Sequence, residues 1–360
     1  MSTTCVRCSR LVEAPAESVL CAACRGRLRR LLSPRASLLR ARVPRPRIWP
    51  VPIALAGALV LIGGLLRQFN GPTPEAFPAP QGHWQILNGP QFISPVGMAA
   101  DRLGNLYVVD AASYHVDKLA PDGTFMATLG TRGTGPGQFE RPSAIALDGI
   151  GNLYVADAAN GRVEKLSSTG VPLGTWGAPG SAPGQLDGPR GVAVDREGNV
   201  YVADTGNDRV QKLSPLGKLM ASWGRPGQGP GEFREPYGVS VDGDGAIYVA
   251  DHWNNRIQKL SPTGAPVAQW GTYGFDRGQF NNPRTVVVDI HGDVYVSDSF
   301  NHRIQELSST GVPLAEWGTR GGDPGQFRRP EGLIVDDTGG MVVVDADNDR
   351  LQRYVPAGVQ

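Results

Sequence analysis

The amino-acid sequence predicts an all-β domain, a six-bladed β-propeller over residues 82–356, preceded by a transmembrane helix and a small zinc ribbon. Three observations carry this reading. Short apolar segments end in Asp110, Asp157, Asp204, Asp251, Asp298 and Asp345, a constant step of 47 residues. A second series, Asp101, Asp148, Asp195, Asp242, Asp289 and Asp336, keeps the same step. A period of this size means a solenoid or a propeller, and short apolar strands between Gly-rich turns select the propeller. The 48 Gly and 30 Pro fit a chain of many turns, and all four Cys lie within the first 24 residues, so disulfides do not hold the repeats together.

Taken from the N-terminus, residues 1–26 form the expected ribbon. Cys5 and Cys8, then Cys21 and Cys24, make two C-x2-C knuckles separated by twelve residues. Two tight turns at that spacing offer four thiolates to one tetrahedral Zn²⁺, a closed site whose role is to fold the segment. A redox pair or two disulfides are the alternatives, although nothing here supplies the βαβ context of a thioredoxin-like site. Residues 27–47 continue an Arg-rich stretch. Nine arginines stand between Arg25 and Arg47 with no acidic residue among them, and anionic lipid headgroups are their expected partner.

The uncharged run Ile48–Leu66 would span about 28 Å as a helix at ~1.5 Å per residue, close to the bilayer hydrocarbon. Arginines on its N-terminal side, against Arg67 alone on the other, orient it with the N-terminus in the cytoplasm and the rest outside. A cleaved signal peptide fits less well, because a polar region of 47 residues precedes the apolar run. The Pro-rich residues 67–81 are then an extended tether. Charge divides the same way: residues 1–79 hold 12 Arg and 3 Glu, whereas the remainder carries 23 Lys and Arg against 31 Asp and Glu.

Within the third copy, four antiparallel strands are expected at 191–195, 199–204, 209–214 and 218–223. The last copy ends at Arg353-Tyr354-Val355 without a fourth strand, while an orphan His83-Trp84-Gln85-Ile86 precedes the first copy. Pairing the two closes the ring and removes an exposed edge. The units Asn207-Asp208-Arg209, Asn254-Asn255-Arg256, Asn301-His302-Arg303 and Asn348-Asp349-Arg350 resemble NHL repeats, and the resemblance covers residues 82–356.

A residue present in every blade serves the blade, so a ligand site has to break the six-fold pattern. The Asp-x-x-Gly hairpins, the Asn-x-Arg units and the series Trp176, Trp223, Trp270 and Trp317 are assigned to turns and packing on this ground. In an up-and-down blade, the loop between second and third strands and the loop leading to the next blade share one face. Irregular residues there are Tyr114, His115, His252, Trp253, Phe300 and His302. Directly after the repeated Pro, around the expected channel mouth, stand Val96, Ser143, Arg190, Tyr237, Arg284 and Glu331. Tyr237, His252, Trp253, Arg284, Phe300, His302, Arg190 and Glu331 are the candidate binding residues, because aromatic and Arg side chains dominate binding hot spots. Replacing Trp253 and Arg284 by Ala is expected to abolish ligand capture without changing thermal unfolding.

The reading that follows is a membrane-anchored, extracytoplasmic binding propeller without catalysis, taking a protein or small ligand on its loop face and similar to sensor propellers of bacterial receptor kinases. The resemblance also implies an alternative, since NHL proteins are similar to peptidyl-hydroxyglycine lyases, whose catalytic zinc is held by histidines after the innermost-strand Pro. None of the six corresponding residues here is His, so that site does not carry over. His252 and His302 remain as two imidazoles without a third ligand. A third reading, a TRIM-type ubiquitin ligase or RNA binder, lacks the eight ligands of a RING, and a net acidic propeller opposes phosphate, so no nucleic acid is expected.

Overall fold

The computed structural model describes residues 80–358, together with a two-residue antiparallel pairing of Thr3–Thr4 with Leu11–Val12. The chain divides into two units, Met1–Thr73 and Pro74–Gln360. The four Cys, the Arg-rich segment 27–47, the run 48–66 and nearly all of 67–81 lie outside the described residues. Among the described residues no helix is long and apolar enough to cross a membrane.

Six four-stranded antiparallel sheets form the second unit. Blades one to five span 95–129, 142–176, 191–223, 236–270 and 283–317, and blade six combines 330–356 with Gly82–Ile86. In blade three the strands are Gly191–Val194, Val200–Asp204, Arg209–Leu213 and Leu219–Trp223, each within a residue of expectation. The ring closes as the orphan segment required: Ile86 pairs with Gln352, Trp84 with Tyr354 and Gly82 with Pro356. The Trp84 ring lies 5.1 Å from that of Phe327 and 5.2 Å from that of Tyr354, so the latch is packed as well as hydrogen-bonded.

The second strand of each blade is buried along its whole length, as Val200–Asp204 illustrates. It is covered on both faces by neighbouring blades, which is why its sequence is continuously apolar rather than alternating. The core therefore lies between blades: Tyr154 and Trp176 of blade two pack with Val192, Val200 and Val202 of blade three. Trp176 stacks on Tyr154 at 5.3 Å and also covers the turn at Gly217 of blade three, where a Cβ would fall 1.3 Å from the indole. Gly217, at φ 78°, answers both steric demands.

Two Asp series do different work. Asp195 caps its own hairpin, its Oδ1 accepting the N–H groups of Glu197 and Asn199 and its Oδ2 accepting from Asn199 Nδ2 and Tyr201 OH. Asp298, fully buried, accepts from the N–H of Asn281 at 2.7 Å and from Asn301 Nδ2, Arg303 Nε and Gln305 Nε2 at 2.8, 2.8 and 3.0 Å. Arg303 Nη2 donates onward to the carbonyls of Asp276 and Gln279 in the loop arriving from blade four. The Asn-x-Arg unit thus fastens each blade to the segment that precedes it. Blade one departs from the pattern, with His115 in the Arg place and its Nε2 3.3 Å from Asp117.

The six innermost strands enclose a channel. One buried apolar residue per blade, Met98, Ile145, Val192, Val239, Val286 and Leu333, lines both of its cavities. This girdle lies between a cavity of about 350 Å³ on the face of the second-to-third loops and one of about 900 Å³ on the opposite face.

Candidate functional site at the channel mouth

The smaller cavity is where the sequence pattern breaks. Five of the six innermost strands enter from a residue in left-handed conformation just before the repeated Pro, Arg141, Gly188, Glu235, Asn282 and Arg329, with φ between 48° and 55°. Register is interrupted immediately afterwards, between Pro236 and Val239, Pro283 and Val286, and Pro330 and Leu333. Irregularities of this kind re-aim side chains, and Tyr237, Arg284 and Glu331 fall inside them. Close approach of the strands is maintained by small residues one step deeper: a Cβ on Gly238 would meet the Arg284 carbonyl oxygen at 2.4 Å.

Blades three to six bring Arg190, Tyr237, Arg284 and Glu331 together, while the same position in blades one and two carries Val96 and Ser143. The guanidinium carbons of Arg190 and Arg284 lie 5.2 and 5.1 Å from the centre of the Tyr237 ring, a favourable position for a cation on a π face. Arg284 Nη1 forms an ion pair with Glu331. Arg329 joins it, with Nη1 3.5 Å from Glu331 and Nη2 2.6 Å from Asp347. Burial pushes the Glu331 carboxyl up, and the charges of Arg284 and Arg329 oppose that shift. The buried Nε atoms of Arg284 and Arg329 have no hydrogen-bond partner among the described residues.

This arrangement corrects one expectation. Arg284 is the main counter-charge of a buried carboxylate, so replacing it by Ala is expected to lower thermal stability, leaving Glu331 to the longer contact with Arg329. Arg190 forms no ion pair among the described residues and is the better probe of the mouth.

The two candidate histidines change meaning. His252 is buried rather than displayed, its ring stacked on Tyr237 at 4.4 Å. Its Nδ1 bonds the Pro283 carbonyl at 3.1 Å, and its Nε2 faces Asn282 Nδ2 at 3.2 Å. Thr205 and Ser299, one period to either side, donate their hydroxyls to the equivalent carbonyls of Pro236 and Pro330. His302 Nδ1 accepts the N–H of Arg329 at 3.1 Å, as Asn255 Oδ1 accepts that of Asn282 and Asp208 Oδ1 that of Glu235. Both imidazoles stand in for hydroxyl, amide or carboxylate side chains in blade-to-blade bonds. Burial, together with the nearby charges of Arg284 and Arg190, lowers the His252 pKa to about 4.

Trp253 and Phe300 are half exposed, on consecutive blades of the mouth face, with only their backbone N–H groups in the recurrent bonding. Sequence reasoning missed Arg141 and Arg329, which line the mouth, and Tyr273 and Phe275, an exposed edge-to-face pair in the loop joining blades four and five. The first two were available in the residue preceding each repeated Pro, the second two in a loop class already known to vary.

The fold and the repeat chemistry define a six-bladed β-propeller built on NHL repeats. Residues 186–213, 233–260 and 280–307 match the NHL repeat, and these are the copies in blades three to five. No curated protein matches the chain. Among solved structures, a streptogramin B lyase is 13% identical over 76% of this chain and 97% of its own, with a TM-score of 0.53. A catalytically inactive virginiamycin B lyase from Staphylococcus aureus, solved with quinupristin, is 15% identical over 76% and 98%, with a TM-score of 0.55. An auxiliary nutrient binding protein from Bacteroides thetaiotaomicron is 15% identical over 78% and 75%, with a TM-score of 0.56. At these identities the likeness is one of fold, and the fold serves an enzyme and a binding protein alike.

Proposed function

We propose that this chain is a non-catalytic binding propeller that takes its ligand at the channel mouth, held outside the cytoplasm by an N-terminal membrane anchor. The observation that carries the binding part is the convergence of Arg190, Tyr237, Arg284 and Glu331 on one cavity floored by apolar side chains. All four break the repeat in identity, and none is needed by every blade. A concave site with few, converging polar groups is the usual form of a ligand pocket, and half-exposed Trp253 and Phe300 extend it along the same face. Anchoring rests on the sequence: the run 48–66, the arginines that precede it for anionic lipid, and Cys5, Cys8, Cys21 and Cys24 for a structural Zn²⁺ on the cytoplasmic side.

The binding reading is tested by incubating the full chain with cell-envelope and medium extracts of its host and weighing it by native mass spectrometry. A bound species is expected with the natural sequence and not with the Trp253→Ala, Arg190→Gln double variant, whose unfolding temperature should be unchanged. A chain that emerges unliganded from both extracts overturns the reading. Protease added to intact cells tests the anchor: removal of the propeller with the N-terminal segment spared is the expected result.

A further inference from the structure

The mouth has a charge opposite to that of the domain around it. The propeller region holds 23 Lys and Arg against 31 Asp and Glu, yet the side chains lining the smaller cavity include Arg141, Arg190, Arg284 and Arg329 with a single carboxylate, Glu331. Glu331 is shared by Arg284 and Arg329. Arg141 and Arg190 have no carboxylate partner among the described residues, and the buried Nε groups of Arg284 and Arg329 are unpartnered donors. Leaving such donors unmet costs free energy, and concentrating guanidinium groups at the mouth of a cavity focuses positive potential there.

From this convergence we infer that the mouth recognises a small organic or inorganic oxyanion bearing two or more carboxylate or phosphoryl groups. The inference rests on the binding function proposed above and names the class of ligand. Planar guanidinium forks match both oxyanion types. Tyr237, backed by the His252 ring, holds both forks at its ring, with guanidinium carbons 5.2 and 5.1 Å from its centre. A cavity of about 350 Å³ sits at the small end of the range for ligand pockets, which suits a compact anion rather than a polymer. The girdle from Met98 to Leu333 gives the anion an apolar floor.

The test is calorimetric titration of the full chain with citrate, with pyrophosphate and with glycerol as a neutral comparator. One saturable site is expected for at least one of the two anions and none for glycerol; which anion saturates tells carboxylate from phosphoryl recognition. Arg190→Gln should weaken binding tenfold or more with the unfolding temperature unchanged, while Arg196→Gln, on the opposite face, should leave it as it was. Absence of saturable anion binding overturns the inference, as does binding that survives Arg190→Gln, which would assign it to the arginines between 25 and 47, or equal loss in the two variants, which would make it general charge attraction. If the anions fail while the extracts still yield a ligand lost on the Trp253→Ala, Arg190→Gln change, the ligand class alone is wrong; if both fail, the binding function falls with it.

Discussion

On the face formed by the hairpins between first and second strands, Asp195 accepts four hydrogen bonds from its own turn and sits 3.3 Å from the ammonium of Lys212. Asp148 repeats the arrangement, with Lys165 at 3.6 Å. The opposite face spends its recurrent carboxylates, the Asp298 series, in buried networks and leaves its surface to side chains that differ from blade to blade. On the first face the Asp turn recurs in all six blades, each Oδ1 accepting the N–H groups two and four residues on, although blades five and six lose the tyrosine bond and the lysine; the other face is asymmetric, with blades three to six carrying Arg, Tyr, Arg and Glu where blades one and two carry Val and Ser. The difference teaches that a repeat protein can keep scaffold chemistry at every position that touches a neighbour and free one ring of residues for recognition.

Breaking the buried network should have the largest effect. Asp298→Ala removes the acceptor of four hydrogen bonds and leaves Arg303 without its buried partner, and we expect a loss of about 3–5 kcal/mol in urea unfolding. At the mouth, Arg284→Ala should cost roughly 2–4 kcal/mol, because Glu331 remains buried with its nearest counter-charge lost and the longer pair with Arg329 left. The Arg284→Met, Glu331→Gln double variant should recover most of that loss, and a double-mutant cycle measures the recovery. If Arg284→Ala alone proved neutral, Glu331 would not be held as a charge, and the distinction between a scaffold network and a free mouth would need redrawing.

His252 sharpens the comparison through pH. Its folded pKa of about 4 lies below the unfolded value near 6.5, so the unfolded chain takes up the proton first as pH falls. The stability associated with neutral His252 is complete above pH ~6.5 and is lost on descending towards pH ~4, a loss on the order of 3 kcal/mol. Other carboxyls titrate in the same window, so the measurement is the difference between the natural chain and His252→Thr. Threonine should keep the bond to the Pro283 carbonyl, as Thr205 does to Pro236, and should flatten the difference curve's source of pH dependence. Identical pH dependence in the two proteins would show that the imidazole is not held neutral. The smallest effect belongs to Arg190→Gln, within about 0.5 kcal/mol of the natural stability, since no ion pair among the described residues is broken.

Much of the fold was legible from residues alone. A step of 47 residues placed every blade, and the missing fourth strand after Tyr354 with the orphan Trp84 ahead of the first copy gave the latch, because a sheet edge must be paired. The candidate site was legible in part. Reading irregular identity as irregular function selected Arg190, Tyr237, Arg284 and Glu331, which do meet, but also His252 and His302, which do not join them as free ligands. An imidazole can donate like Thr205 and accept like Asn255, so a change of residue type concealed a constant role.

The sequence by itself determined the repeat, its strand order, ring closure and the positions able to vary, since these follow from local periodicity, turn chemistry and the need to pair backbone edges. Only the tertiary structure decided which variable residues are partners and which are free. Arg284 and Glu331 are 47 residues apart along the chain and in contact across adjacent blades, and no local pattern records that one neutralises the other while Arg190 is left with a tyrosine face.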